Sequence, residues 1–300
     1  MCGTCGGHGA ETPTLGEGTR IVVVGKGGVG KSTVSALLAR LFAQGGARVV
    51  AIDADEQRNL GATIGVDLDT LASIVPICAA GDYVEEKTGA RTGEGGGGML
   101  RLNPDTSDIV ERLSVTAPDG VRLLVMGGVQ HSGSGCLCPE NALLAAAIAN
   151  MRLRREEIVV MDTHAGVEHF GRALARGFDS AIVVVEPTYN AVQVGVETAR
   201  LAHELGIAHI HLVVNRARGD EDCQRVLANV DRLGGFVFSS VHTLPFDELV
   251  LQTEPSIEGL LHDSDLARAT MKLSQHLLAH DDARESVVTQ PALTNSVMTH

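Results

Sequence analysis

The 300-residue chain holds 24 Lys+Arg against 37 Asp+Glu, a formal net charge of −13, with 44% hydrophobic residues, 3% aromatics and no Trp. This length suits one large α/β domain or two modest ones, with an aliphatic core. The charge argues against a nucleic-acid partner held by a generally basic surface. No apolar run reaches the roughly 18 residues of a membrane span, and the N-terminus lacks the build of a secretory signal, so neither membrane nor export is expected. Six cysteines are too sparse for a disulfide scaffold, and the close pairs Cys2/Cys5 and Cys136/Cys138 suit metal or redox chemistry in a cytoplasmic protein.

In chain order, residues 1–18 are Gly-rich and aperiodic, a flexible arm carrying Cys2, Cys5 and His8. Buried parallel strands are predicted at Arg20–Gly25, Arg48–Asp53, Arg122–Met126, Glu157–Asp162, Ala181–Glu186 and His209–Asn215, with a weaker one at Phe236–Val241. Helical patterns lie at Ser32–Ala43, Asn141–Met151, Val192–Leu205 and Glu221–Leu233. Such alternation implies an α/β fold, a mostly parallel central sheet with helices on both faces. One domain over residues 19–280 is expected, with residues 66–120 as a looser insertion and residues 281–300 as a disordered tail.

Directly after the first strand runs Gly25-Lys26-Gly27-Gly28-Val29-Gly30-Lys31-Ser32-Thr33, which satisfies G-x-x-x-x-G-K-[ST] between a strand and a helix. Glycines let backbone N–H groups turn toward phosphate oxygens, and the helix N-terminus adds its positive end. Lys31 is placed to reach the β- and γ-phosphates, and the Ser32 hydroxyl to ligate Mg²⁺. The second lysine, Lys26, makes the loop resemble the deviant, or signature-lysine, P-loop ATPases: the nitrogenase iron protein, septum-site and plasmid-partition ATPases, and metal-insertion ATPases. The resemblance implies a P-loop NTPase fold, and a homodimer in which Lys26 reaches the partner's nucleotide.

Two further segments match that family. Asp53-Ala-Asp55-Glu-Gln-Arg-Asn59 resembles its first switch, with Asp55 positioning the attacking water and lying near Mg²⁺. Asp53 and Asp55 also read as a turn pair ending the strand. Asp162-Thr-His-Ala-Gly166 resembles the second switch, with Asp162 holding the Mg²⁺ shell. Asn215-Arg216-Ala-Arg218 lacks the acid of a guanine-reading Asn-Lys-x-Asp, so ATP is favoured. The resemblance makes Asn215 the adenine contact and adds Arg216 and Pro245 to the nucleotide-binding residues.

Cys136-Leu-Cys138 follows a pliant Ser-Gly run and precedes Pro139. In extended chain such sulfurs point the same way, roughly 6.5–7 Å apart. A tetrahedral soft-metal site wants four ligands and one Cys-x-Cys supplies two, so a two-fold dimer would complete it for Ni²⁺ or Zn²⁺. Gly135-Cys-x-Cys-Pro-Glu-Asn-Ala-Leu143 and Ala165-Gly-Val-Glu-His-Phe-Gly-Arg172 narrow the resemblance to the ATPases that assist nickel insertion into carbon monoxide dehydrogenase. It runs from about Arg20 to Leu278, includes Glu186-Pro187 and Leu244-Pro-Phe-Asp247, and is loose in the insertion. His164 stands where an acid is expected. Cys2-x-x-Cys5-x-x-His8 resembles the nickel-binding arm of the hydrogenase nickel-insertion GTPase, and equally reads as a tail with incidental cysteines. The other histidines look scattered.

Together these residues predict a homodimeric ATPase loading nickel into carbon monoxide dehydrogenase, its catalytic set being Lys26, Lys31, Asp55 and Asp162. The alternatives are a partition- or septum-type regulatory ATPase, or a nickel storage scaffold that binds nucleotide and barely turns over. Residues 162–172 hold no cysteine for a bridging iron–sulfur cluster, and the −13 charge weighs against a DNA-facing surface.

Overall fold

The computed structural model describes residues 18–89, 101, 105–127, 143–146, 148, 153–154, 156–164 and 177–288, with side chains as far as 279. Eight strands form one sheet: β1 (Thr19–Gly25), β2 (Arg48–Ala54), β3 (Val115–Thr116), β4 (Arg122–Val125), β5 (Glu157–Thr163), β6 (Ser180–Val185), β7 (His209–Ala217) and β8 (Ser240–Pro245). Their order is β3-β4-β2-β5-β1-β6-β7-β8. Every pairing is parallel except β3 with β4. This is the expected mostly parallel α/β P-loop sheet.

The central strands are buried because they read as unbroken β-branched runs. Ile21, Val22 and Val23 of β1 and Ile182, Val183, Val184 and Val185 of β6 have no exposed surface. The helices that position the site are α1 (Lys31–Gln44), α2 (Asn59–Ile64), α3 (Tyr189–Glu204), α4 (Asp220–Arg232) and α5 (Asp265–Val288). α1 packs on β1, β2 and β5, while α5 packs on α1 and β8. Thr188 caps α3 by accepting from Ala191 N at 3.4 Å.

Three expectations need revision. The last strand is Ser240–Pro245 rather than Phe236–Val241, because Phe236 and Phe238 pack ring to ring at 4.8 Å in the preceding connection. Backbone pairing with β7 begins only at Ser239 N, which donates to Ile210 O. The chain is helical as far as Val288, beyond the boundary set at residue 280, since no Gly or Pro interrupts it before Pro291. Within the insertion, the described residues form short helices at Leu68–Ser73, Gly81–Thr88 and Ile109–Leu113, and β3 adds an antiparallel edge strand. The Gly-rich run 92–98, most of the helix expected at Asn141–Met151, and residues 289–300 lie outside the described residues.

Candidate nucleotide-binding site

The site gathers at the carboxyl ends of β1, β2, β5 and β7, where an open parallel sheet binds ligands. β1 delivers the chain to Gly25, and residues 26–30 turn it into α1 at Lys31. Gly30 adopts φ 93°, and a Cβ there would stand 2.4 Å from Asn215 Nδ2. That amide donates to the Val29 carbonyl at 2.8 Å, so the end of β7 braces the loop from behind. Lys31 is buried, and its Nζ donates across the loop to the Lys26 carbonyl at 3.2 Å. Burial depresses its pKa, while Asp162 and Asp55 oppose the shift. Lys26 is half-buried, and Gly27 and Gly28 are exposed at the crest of the loop.

Beneath the loop lie three carboxylates. Asp162, at the end of β5, has no exposed surface and accepts from Ser32 Oγ at 2.6 Å and from Ser35 Oγ at 3.3 Å. Asp53 stands level with it on β2, the two being register partners. Asp53 accepts from Leu60 N at 3.0 Å and Asp55 N at 3.2 Å, tying the turn after β2 to the start of α2. Burial is the main cause lifting both carboxyls, Asp53 to about 7 and Asp162 to about 6. Asp162 adds to the rise at Asp53, whereas Ser32 and Lys31 restrain that at Asp162. Asp55 caps its turn by accepting from Gln57 N at 2.9 Å.

The family described as the CobQ/CobB/MinD/ParA nucleotide binding domain matches residues 21–255. The chain belongs to this family. It is 38% identical over 231 residues to the carbon monoxide dehydrogenase accessory protein CooC of Rhodospirillum rubrum, covering 77% of this chain and 85% of that one. An uncharacterized ATP-binding protein of Methanocaldococcus jannaschii is 32% identical, over 86% of this chain and 97% of that one. Among solved structures, a ParA family ATPase from Chlorobium tepidum superposes with TM-score 0.60 at 16% identity, over 87% of this chain and 99% of that one. The MinD of Pyrococcus horikoshii, solved with Mg-ADP, gives TM-score 0.56 at 17% identity, over 91% of this chain and 99% of that one. These two likenesses speak for the fold alone.

Within this family framework, Ser32 and Asp162 present adjacent hard oxygens at the helix start. Mg²⁺ is held by one or two such groups together with phosphates and waters, so the donor set fits that ion. Near the end of β7, Asn215 and Arg216 precede Ala217, with Arg216 at φ 57° and ion-paired to Glu186 at 3.6 Å. Pro245 ends β8 opposite Ala217, beside an open cleft lined by Arg218, Thr243 and Phe246. Thr33 lies on the first turn of α1, half-buried.

The structure thus brings Lys26, Lys31, Ser32, Asp55, Asp162 and Asn215 around one loop. Cys2, Cys5, His8, Cys136, Cys138 and residues 165–172 lie outside the described residues. Sequence reasoning did not single out Ser35 or the holding role of Asp53. Ser35 was findable, because it follows Ser32 by one helical turn on the same face. Asp53 acts through its register with Asp162, which no local pattern displays.

Proposed function

We propose that the chain is an ATP-hydrolysing chaperone that loads nickel into carbon monoxide dehydrogenase, working as a homodimer in the cytoplasm. The observation that carries the nucleotide half is the Ser32–Asp162 contact at 2.6 Å beneath a loop bearing both Lys26 and Lys31. The client is suggested by the relative named as a carbon monoxide dehydrogenase accessory protein.

In this reading the loop amides of residues 27–32 cradle the phosphates, and Lys31 neutralises the β- and γ-oxygens. A bound Mg²⁺ would supply charge stabilisation for the transferred phosphoryl group. Ser32 and Asp162 hold that ion's shell, and Asp55 orients water for attack on the γ-phosphorus. The phosphoryl group passes to water, ADP leaves with the bridging oxygen, and a water proton is released. Lys26 acts across the dimer interface, making closure depend on ATP. Asn215 contacts the adenine, and Arg216 and Pro245 complete the nucleotide-binding residues. The metal is cargo: Ni²⁺ or Zn²⁺ shared between Cys136 and Cys138 of both subunits, with Cys2, Cys5 and His8 as a weaker site. Among the described residues no helix is long and apolar enough to cross a membrane.

The test mixes the chain with nickel-free carbon monoxide dehydrogenase, Ni²⁺ and Mg-ATP. Client activity should appear faster with ATP than with a non-hydrolysable analogue, while phosphate is released. Equal activation with either nucleotide would leave a storage scaffold as the better reading.

A further inference from the structure

The edge of the sheet formed by β7 and β8 carries a constellation that the nucleotide site does not use. His211 on β7, His242 on β8 and His276 on α5 each offer one imidazole nitrogen, and these atoms all lie within 4.8 Å of one another. The Ser240 hydroxyl is bonded to His211 Nδ1 at 2.7 Å and to His242 Nε2 at 2.8 Å, drawing two rings to a common point. His276 closes the group from the helix side. Its ring centroid is 4.9 Å from that of His242 and 5.9 Å from that of His211, steeply inclined to both. Three rigid elements therefore fix three rings.

We propose that His211, His242 and His276 form a binding site for one borderline divalent ion, zinc or nickel, built without any cysteine. The chemistry of the donors selects the ion. Neutral imidazole suits Zn²⁺, Ni²⁺, Co²⁺ and Cu²⁺, whereas Mg²⁺ and Ca²⁺ prefer oxygen. His211 is 1% exposed and anchors the site in the core, while His242 and His276 are half-buried. Three protein ligands leave a fourth position for water or for a group on a partner.

The placement matters for the rest of the molecule. His211 and Asn215 lie four residues apart on β7, about 13 Å at roughly 3.3 Å per residue. One strand therefore runs from the histidine site to the brace behind the phosphate loop. A bound ion would also pin α5, which packs on α1, to the sheet edge. The site stands on its own residues and does not depend on the client proposed above.

The test uses the full chain with Cys2, Cys5, Cys136 and Cys138 changed to Ser and His8 to Ala. Co²⁺ titration should show one ion per chain, with visible d–d bands and no sulfur-to-cobalt charge transfer, and Zn²⁺ should raise the thermal midpoint. Adding His242→Gln or His276→Gln should weaken Co²⁺ at least about tenfold, since losing a ligand costs no less than losing an outer-shell partner. Unchanged Mg-ATP affinity in both variants would show that they are folded. Absence of Co²⁺ binding in the background chain, or binding that survives both histidine substitutions, would overturn the proposal.

Discussion

Gly30→Ala offers a direct probe of how the phosphate loop is braced. The residue lies at φ 93°, and its Cβ would fall 2.4 Å from Asn215 Nδ2. Gly28 is the natural control, being left-handed at φ 81° with nothing within 4 Å of its Cβ. Alanine in that conformation costs about 1–2 kcal/mol, so Gly28→Ala should lose about that much. Gly30→Ala must in addition displace the Asn215 amide from the buried Val29 carbonyl. Breaking that hydrogen bond adds about 1–2 kcal/mol, for a total of about 2–4 kcal/mol. Urea denaturation of the nucleotide-free protein measures both variants. A third and fourth chain, Asn215→Ala alone and with Gly30→Ala, complete a double-mutant cycle. Removing the amide should recover about 1 kcal/mol or more of the Gly30→Ala loss. Equal losses at positions 28 and 30, with no coupling in the cycle, would refute the bracing argument.

Lys31→Ala should abolish tight Mg-ATP binding by calorimetry, whereas Lys26→Ala should keep much of it and lose ATP-dependent dimerisation; equal loss of binding in both would remove the cross-dimer role of Lys26. Asp55→Asn should bind ATP and stay dimeric while hydrolysing it slowly, and a normal rate of phosphate release would reduce Asp55 to a turn residue. Cys136→Ser/Cys138→Ser should lose one metal ion per dimer together with metal-promoted association in light scattering, whereas deletion of residues 1–9 should preserve both. Retention of that ion in the double serine chain would move the cargo site elsewhere.

How much of this could be read from the sequence depended on how local each cause was. The loop at Gly25–Thr33 was legible because its chemistry is contiguous: glycines, lysine and hydroxyl in one strand-to-helix turn. The strands of the central sheet were legible because burial on both faces demands unbroken aliphatic runs. The last strand was misplaced because Phe236, Val237 and Phe238 look like strand residues in isolation. In the fold, the two phenylalanines pack on each other before pairing with β7 begins. Asp53 and the three histidines share a different obstacle. Asp53 meets Asp162 through the β2–β5 register, and His211, His242 and His276 meet through β7, β8 and a helix absent from the expected elements. Nothing in a single-sequence pattern places such residues side by side.

The pairing of Asp53 with Asp162 has a measurable consequence for the free protein. Both carboxyls are pushed up by burial, to about 7 and about 6, from near 3.8 in the unfolded chain. The folded state therefore holds protons that the unfolded state has released. This contribution to stability is complete below about pH 4 and is lost as pH rises through 6 and 7. Each tenfold change in proton affinity corresponds to about 1.4 kcal/mol, so the fall between pH 6 and pH 7 should be on the order of 1 kcal/mol. His242 works in the opposite sense, because its pKa is depressed and its stabilisation is lost as pH falls below about 6.5. A comparison with nucleotide isolates the aspartates, since the histidine contribution is common to both arms. If Mg²⁺ with AMPPNP holds Asp162 in its ionised form, as proposed, the slope between pH 6 and 8 should turn less negative than in the free protein. Equal slopes in the two titrations would mean that Asp162 and the nucleotide's metal do not meet, and the placement of Ser32 and Asp162 in the magnesium shell would fail with it.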